Sequence, residues 1–94
     1  YAIFAMDLEG RVTSWNAGAG RLLGHAAEEI IGRPAEVVFT PEDREAGRPA
    51  EEMRLALGEG RAENERWHQR RDGGRFWASG LMMPLKGADG AAQG

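Results

Sequence analysis

RAENERWHQRRDGGRFWASGLMMPL, residues 61–85, is the stretch whose reading decides the fold. It predicts two β-strands joined by a tight turn at Asp72-Gly73-Gly74. Asp-Gly followed by a second Gly supplies the positive-φ positions that a hairpin turn needs, and the flanking runs can alternate between faces. Alternation divides residues 75–83 into one set, Phe76, Ala78, Gly80 and Met82, and an opposite set, Trp77, Ser79, Leu81 and Met83. A loop made of residues 72–74 would pair His68 with Ala78 on one face. A two-residue turn would shift the register and send His68 to the other face.

Outward from the hairpin, the chain begins with a short apolar run, YAIFAM, that meets the turn signal Asp7-Leu8-Glu9-Gly10 and then the strand RVTSW. Asn16 is suited to cap a helix through AGAGRLL, with Gly24 as its stop. Gly18 and Gly20 inside that helix each cost up to ~1 kcal/mol relative to Ala, so it must lean on tertiary packing. AAEEIIG and a turn opened by Pro34 follow, the latter ending at Val37, Val38 and Phe39. Thr40-Pro41-Glu42-Asp43 combines a capping hydroxyl, a first-turn proline and acids, which is a helix start. Pro49 begins a second helix through Leu57, with Met53, Ala56 and Leu57 on one face and Glu51 and Glu52 mostly elsewhere. The order β-β-α-α-α-α-β-β, with a final Asp-Gly turn in KGADGAAQG pointing to one more strand, indicates an antiparallel α+β fold with helices on one face.

Ninety-four residues make one domain with one small core. A net charge of −3, with both signs mixed along the chain, gives no electrostatic footprint for nucleic acid or an anionic membrane. No apolar run approaches the ~20 residues that span a bilayer, so direct membrane insertion is not expected and a cytoplasmic location is. The absence of cysteine excludes disulfides, thiolate metal sites and any cysteinyl adduct. The chain starts mid-pattern at Tyr1 and stops in a Gly/Ala-rich tail, which reads as a module excised from a longer multidomain protein.

The ordered motifs Asp7-x-x-Gly10, Trp15-Asn16-x-x-Ala19, Gly24, Glu28-Glu29-Ile30-Ile31-Gly32, Thr40-Pro41-Glu42-Asp43 and Arg71-Asp72-Gly73-x-Arg75-Phe76-Trp77 run from end to end. Through them the chain resembles a PAS domain of the sensory-box type found in bacterial sensor histidine kinases. The resemblance implies a five-stranded antiparallel sheet in the order 2-1-5-4-3, its fifth strand largely absent from this chain, enclosing a pocket against the middle helices. It implies further that the pocket draws on Phe4, Met6, Phe39, Met53, Leu57, His68, Phe76, Ala78, Gly80 and Met82. Ala78 and Gly80 are small, leaving room either for a ligand or for Met53 and Leu57. Trp67, Trp77, Leu81 and Met83 form an apolar stripe on the other face, where a homodimer or a flanking helix is expected. His25, Ala26 and Gly20 depart from the family pattern, which has an aromatic, a hydroxyl residue and a helix-former there.

Enzyme signatures are missing: there is no G-x-S-x-G, no H-E-x-x-H, no phosphate loop and no dinucleotide fingerprint. The paired acids Glu28-Glu29, Glu42-Asp43 and Glu51-Glu52 sit at helix starts, where the macrodipole explains them. The two histidines have no metal-site spacing. The expected function is therefore regulatory: a sensor that binds a small molecule, dimerises, or does both, to control an attached output domain. The alternatives are a ligand-free dimerisation scaffold, a haem- or flavin-binding redox sensor using His68 and Asn64, and a small α+β enzyme. The cofactor is unknown. The resemblance implies that a haem-binding member carries its axial histidine on or near the long helix; residues 41–58 contain none, so haem is disfavoured, and the absence of cysteine excludes cysteinyl-flavin photochemistry.

Overall fold

The structure, a computed structural model, describes residues 1–94. Strands β1 (Phe4–Met6) and β2 (Val12–Trp15) form the first hairpin, closed by Asp7, whose Oδ1 accepts the Glu9 and Arg11 N–H groups at 2.9 and 3.0 Å. Helix α1 (Ala17–Leu23) starts on Asn16, whose Oδ1 accepts from the Ala19 N–H at 2.7 Å, and ends on Gly24. Gly18 is needed here for close approach, since a Cβ on it would run into the Tyr1 carbonyl. A short helix α2 (Ala27–Ile30) and a 3₁₀ turn, Ala35–Val38, carry Ile30, Ala35 and Val38 into the core. Helix α3 (Pro41–Glu45) is capped by Thr40, and α4 (Arg48–Glu59) follows directly. Strands β3 (Ala62–Gln69) and β4 (Arg75–Met82) make the long hairpin. No helix is long and apolar enough to cross a membrane.

The fold is the expected α+β arrangement, with both hairpins antiparallel and the helices between them in sequence. Of the order 2-1-5-4-3, the structure contains the two outer pairs, β2-β1 and β4-β3. No backbone hydrogen bonds join β1 to β4. Leu85 and Lys86 instead pair with Ala92–Gly94, which brings Gly94 against Met6 of β1. The core is divided into two clusters. Val12, Ile30 and Ala35 form one, Leu23, Val38 and Phe39 the other, and Phe4, Trp15 and Val37 pack against both.

Two local readings of the sequence need correction. The hairpin loop is three residues long, as expected, but consists of residues 71–73 rather than 72–74, because Arg70 N–H bonds Gly74 O at 2.7 Å. The left-handed position closing such a loop falls on Gly73, at φ 90°, while Asp72 Oδ1 accepts the Gly74 N–H at 2.8 Å. The pairing therefore moves by two residues, and His68 sits opposite Phe76 instead of Ala78. A shift of two preserves the face, so His68 still points the same way as Phe76, Ala78 and Gly80. The second correction concerns α4. It begins at Arg48, and its buried positions are Glu52 and Ala56, whereas Leu57 is 43% exposed. The apolar spacing had put Leu57 inside and Glu52 elsewhere; the helix is rotated because Asn64 and Arg66 of β3 provide Glu52 with partners.

Two glycines on either side of β3 have opposite conformational demands. Gly73→Val should destabilise the domain by ~1–2 kcal/mol, since a branched side chain is forced into the left-handed region. Gly58→Ala, inside α4 with open space where the Cβ would go, should stabilise it by ~0.4–1 kcal/mol. Urea unfolding midpoints of the two variants test both signs.

Candidate functional site

The inner face of the long hairpin reads Ala62, Asn64, Arg66 and His68 on β3 against Phe76, Ala78, Gly80 and Met82 on β4. Its outer face reads Glu63, Glu65 and Trp67 against Trp77, Ser79 and Leu81. A cavity of about 330 Å³ lies over the inner face, walled by Phe4, Leu22, Leu23, Val38, Phe39, Phe76, Ala78 and Met82 and bordered by Glu52, Asn64, His68 and Gly80. A smaller space of about 160 Å³ adjoins it across Phe4, Phe39 and Met82 and is lined by Met6, Pro34, Pro49 and Met53. Nine of the ten residues expected at the pocket thus border one space or the other, and Leu57 borders neither.

The smallness of Gly80 has a local cause. A Cβ there would meet Asn64 Oδ1 at 3.1 Å, so glycine makes room for the cross-strand carboxamide rather than for Met53 or Leu57. Asn64 Nδ2 donates to Glu52 Oε1, which fixes the amide's orientation and leaves Oδ1 buried without a partner. Glu52 Oε2 lies 3.1 Å from Arg66 Nε as an ion pair, but the two are not aligned as a hydrogen bond. Arg66 also reaches Asp43 Oδ2 at 3.4 Å and lies over the Phe39 ring. Burial pushes the Glu52 carboxyl up from its ordinary range, and the Arg66 charge and the Asn64 bond only partly offset this. Sequence patterning missed Glu52 as a site residue because an acid in the first half of a helix has a simpler explanation in the helix dipole. The period-two relation of Asn64 to His68 was the available signal.

His68 joins the site through its backbone and its ring. Phe39 and His68 form a bridge, and Nδ1 lies 3.1 Å from the Val38 carbonyl. A carbonyl can only accept, so Nδ1 carries the proton and Nε2 is the acceptor left for another partner. The ring packs edge-on to Phe39 at 5.3 Å between centroids and tilted to Phe76 at 6.1 Å. His25 lies outside this site, with its carbonyl accepting from Trp15 Nε1 at 2.9 Å. No group of three or more His, Asp or Glu side chains is placed to hold a metal ion.

The outer face differs in kind. Trp67 and Trp77 pair directly across the strands with rings edge-to-face at 5.7 Å, yet they are 51% and 57% exposed. Leu81 and Met83 extend this exposed stripe, as the sequence pattern indicated. The tip of the hairpin is tied to α1: Arg71 N–H bonds Leu23 O at 2.8 Å, and Arg70 Nε bonds Leu22 O at 3.0 Å. Arg71 also pairs with Glu29 at 3.0 Å.

Desolvation lowers the His68 pKa below its ordinary 6.5, with the nearby Arg66 acting in the same direction and the Val38 bond and Asp43 opposing it. The folded state thus holds fewer protons than the unfolded chain just below that value. This contribution to stability is complete above pH 6.5 and is lost as pH falls through the lower folded pKa. His25, lowered chiefly by burial and by Arg71, adds to the same slope. His68→Gln should flatten, without abolishing, the fall in urea-unfolding free energy between pH 7 and about 5.

Comparison with known proteins fits this geometry. The PAS fold family model matches residues 1–94. A two-component system protein A of the fungus Emericella nidulans is 51% identical over 85 residues, which is 90% of this chain and 12% of that protein's length. A crystal structure of a PAS domain from Colwellia psychrerythraea superposes with a TM-score of 0.88 at 27% identity, covering 98% of this chain and 77% of the other. The blue-light-activated histidine kinase of Erythrobacter litoralis has the same fold at a TM-score of 0.74 and 20% identity, covering 98% of this chain and 29% of that one. Its two outer hairpins, the intervening short helices and the match along its full length together establish that the chain belongs to the PAS family.

Proposed function

We propose that this PAS domain is the ligand-binding sensory module of a two-component signalling protein, and that it regulates an attached output domain without catalysing a reaction itself. The observation that carries the reading is the cavity over the inner face of β3 and β4, large and apolar enough to take a small molecule. The similarity to a two-component system protein supports the signalling context. Because that relative is fungal, the support extends to two-component signalling in general rather than to a bacterial kinase in particular. The proposed location is the cytoplasm.

Signal transfer requires a ligand whose affinity differs between two states of the protein. Both cavities meet at Phe4, Phe39 and Met82, which come from β1, the end of the 3₁₀ turn and β4. An occupant pressing there acts on both hairpins at once. Native mass spectrometry of gently purified protein should show a mass excess that disappears on denaturation. Ala78→Leu, which extends a side chain into the cavity, should remove that excess while the protein stays folded by circular dichroism. An excess unchanged in the variant would overturn the assignment of the ligand to this cavity.

A second copy of this chain is the proposed occupant of the outer face, because the exposed Trp67–Trp77 pair and the exposed Leu81 and Met83 lie along it, interrupted by the Ser79–Glu65 pair, and water covers such apolar surface poorly. Trp77→Ala should weaken self-association at least tenfold in sedimentation equilibrium. A monomeric wild-type chain at high concentration, or an unchanged dimer in the variant, would remove this interface.

A further inference from the structure

The polar groups that Glu52, Asn64 and His68 bring to the main cavity leave acceptors free. Asn64 Oδ1 is buried and has no partner, because its amide nitrogen is spent on Glu52 Oε1. Glu52 Oε2 is buried in a residue only 3% exposed and accepts no hydrogen bond. His68 has its Nδ1 proton committed to the Val38 carbonyl and keeps an acceptor at Nε2. All three residues border the same cavity, together with the phenyl ring of Phe76 and the small wall of Ala78 and Gly80. Asn64 Oδ1 and Glu52 Oε2 are thus buried without a hydrogen bond, the second facing only the misaligned Arg66 Nε 3.1 Å away, and His68 Nε2 adds a third acceptor; buried polar atoms of this kind are rare unless something completes them. The local charge has the same sign as the lone pairs, since the carboxylates of Glu52 and Asp43 share one guanidinium, that of Arg66.

Resting on the ligand-binding reading above, we propose that the cavity accepts a compact aromatic or heteroaromatic molecule bearing two or more N–H donors, of the amidine or amino-heterocycle class, and rejects carboxylates and phosphates. The donors lie toward Glu52, Asn64 and His68, and the ring lies among Phe39, Phe76 and Ala78. A carboxylate in the same place would set lone pairs against lone pairs and add a negative charge beside Glu52. An apolar ring alone would fit, since an apolar cavity of ~150 Å³ already takes up benzene. It would leave the buried acceptors unpaired, however, and would gain nothing from them.

Three probes of nearly one shape separate these terms: benzamidine, toluene and benzoate, each titrated into the isotopically labelled protein and followed by heteronuclear NMR. Benzamidine should shift the Asn64 side-chain amide and the His68 ring signals, and bind at least tenfold more tightly than either toluene or benzoate. Glu52→Gln should lower benzamidine affinity about tenfold while leaving toluene affinity unchanged. Should that variant fail to fold, the ranking of the three probes on the wild-type chain decides alone. Toluene or benzoate binding as tightly as benzamidine would overturn the donor assignment while leaving the cavity as a binding site. If none of the probes shifts the signals of Phe76, Ala78 and His68, the donor assignment falls, and the mass excess of the purified protein and its loss in Ala78→Leu decide the ligand-binding reading separately.

Discussion

A buried carboxylate is the constraint on which the interior depends. Glu52 is almost wholly removed from water, in the middle of α4, and the groups that make this tolerable, Asn64 and Arg66, come from β3. A charge in such a place must be paired, and the loss of either partner costs far more than the pair contributes beyond an apolar substitute. The requirement works as a registration device. It sets the rotation of α4 about its axis, presenting Glu52 and Ala56 to the sheet and sending Leu57 to the surface. It also holds the inner face of β3 under the helix, because Asn64 and Arg66 are two residues apart and therefore share a face.

The cavity follows from the way the rest of the interior is filled. Leu23, Val38 and Phe39 close one side of it, but the β4 positions that line it include the small Ala78 and Gly80. Small residues on a strand facing helices normally let the layers approach. Here the approach is blocked by side chains that are themselves held: the Asn64 carboxamide stands over Gly80, and the His68 ring is pinned between Phe39 and Phe76. The space is kept open by polar groups with fixed bonding obligations, which cannot collapse into it as a flexible methionine could.

The sequence was legible wherever one strong local preference controlled the outcome. The Asn16 and Thr40 caps, the Asp7-to-Gly10 turn and the alternation of the long hairpin were each readable from a few residues. The loop register was not, because Asp72-Gly73-Gly74 offers two glycines for one left-handed position, and only the hydrogen bonding of Arg70 to Gly74 selects Gly73. The face of α4 was also hidden. Hydrophobic spacing counts apolar residues, whereas the buried position is occupied by an acid whose partners lie 12 and 14 residues further on. The candidate site shows the same division: its apolar walls follow from strand alternation, and its polar end follows from a tertiary pairing that no local pattern records.

The attachment of the hairpin tip to α1 has a thermodynamic consequence. A seven-residue helix with two glycines has little helical order of its own, and its last carbonyls are normally left to water. Here the Leu22 and Leu23 carbonyls are taken by Arg70 and Arg71, residues about 48 positions away at the turn of the hairpin. Neither partner can keep these bonds if the other unravels. The helix and the hairpin tip therefore form a single cooperative opening unit, and the lifetime of a short local helix near the amino terminus is set by its contact with residues about 48 positions away.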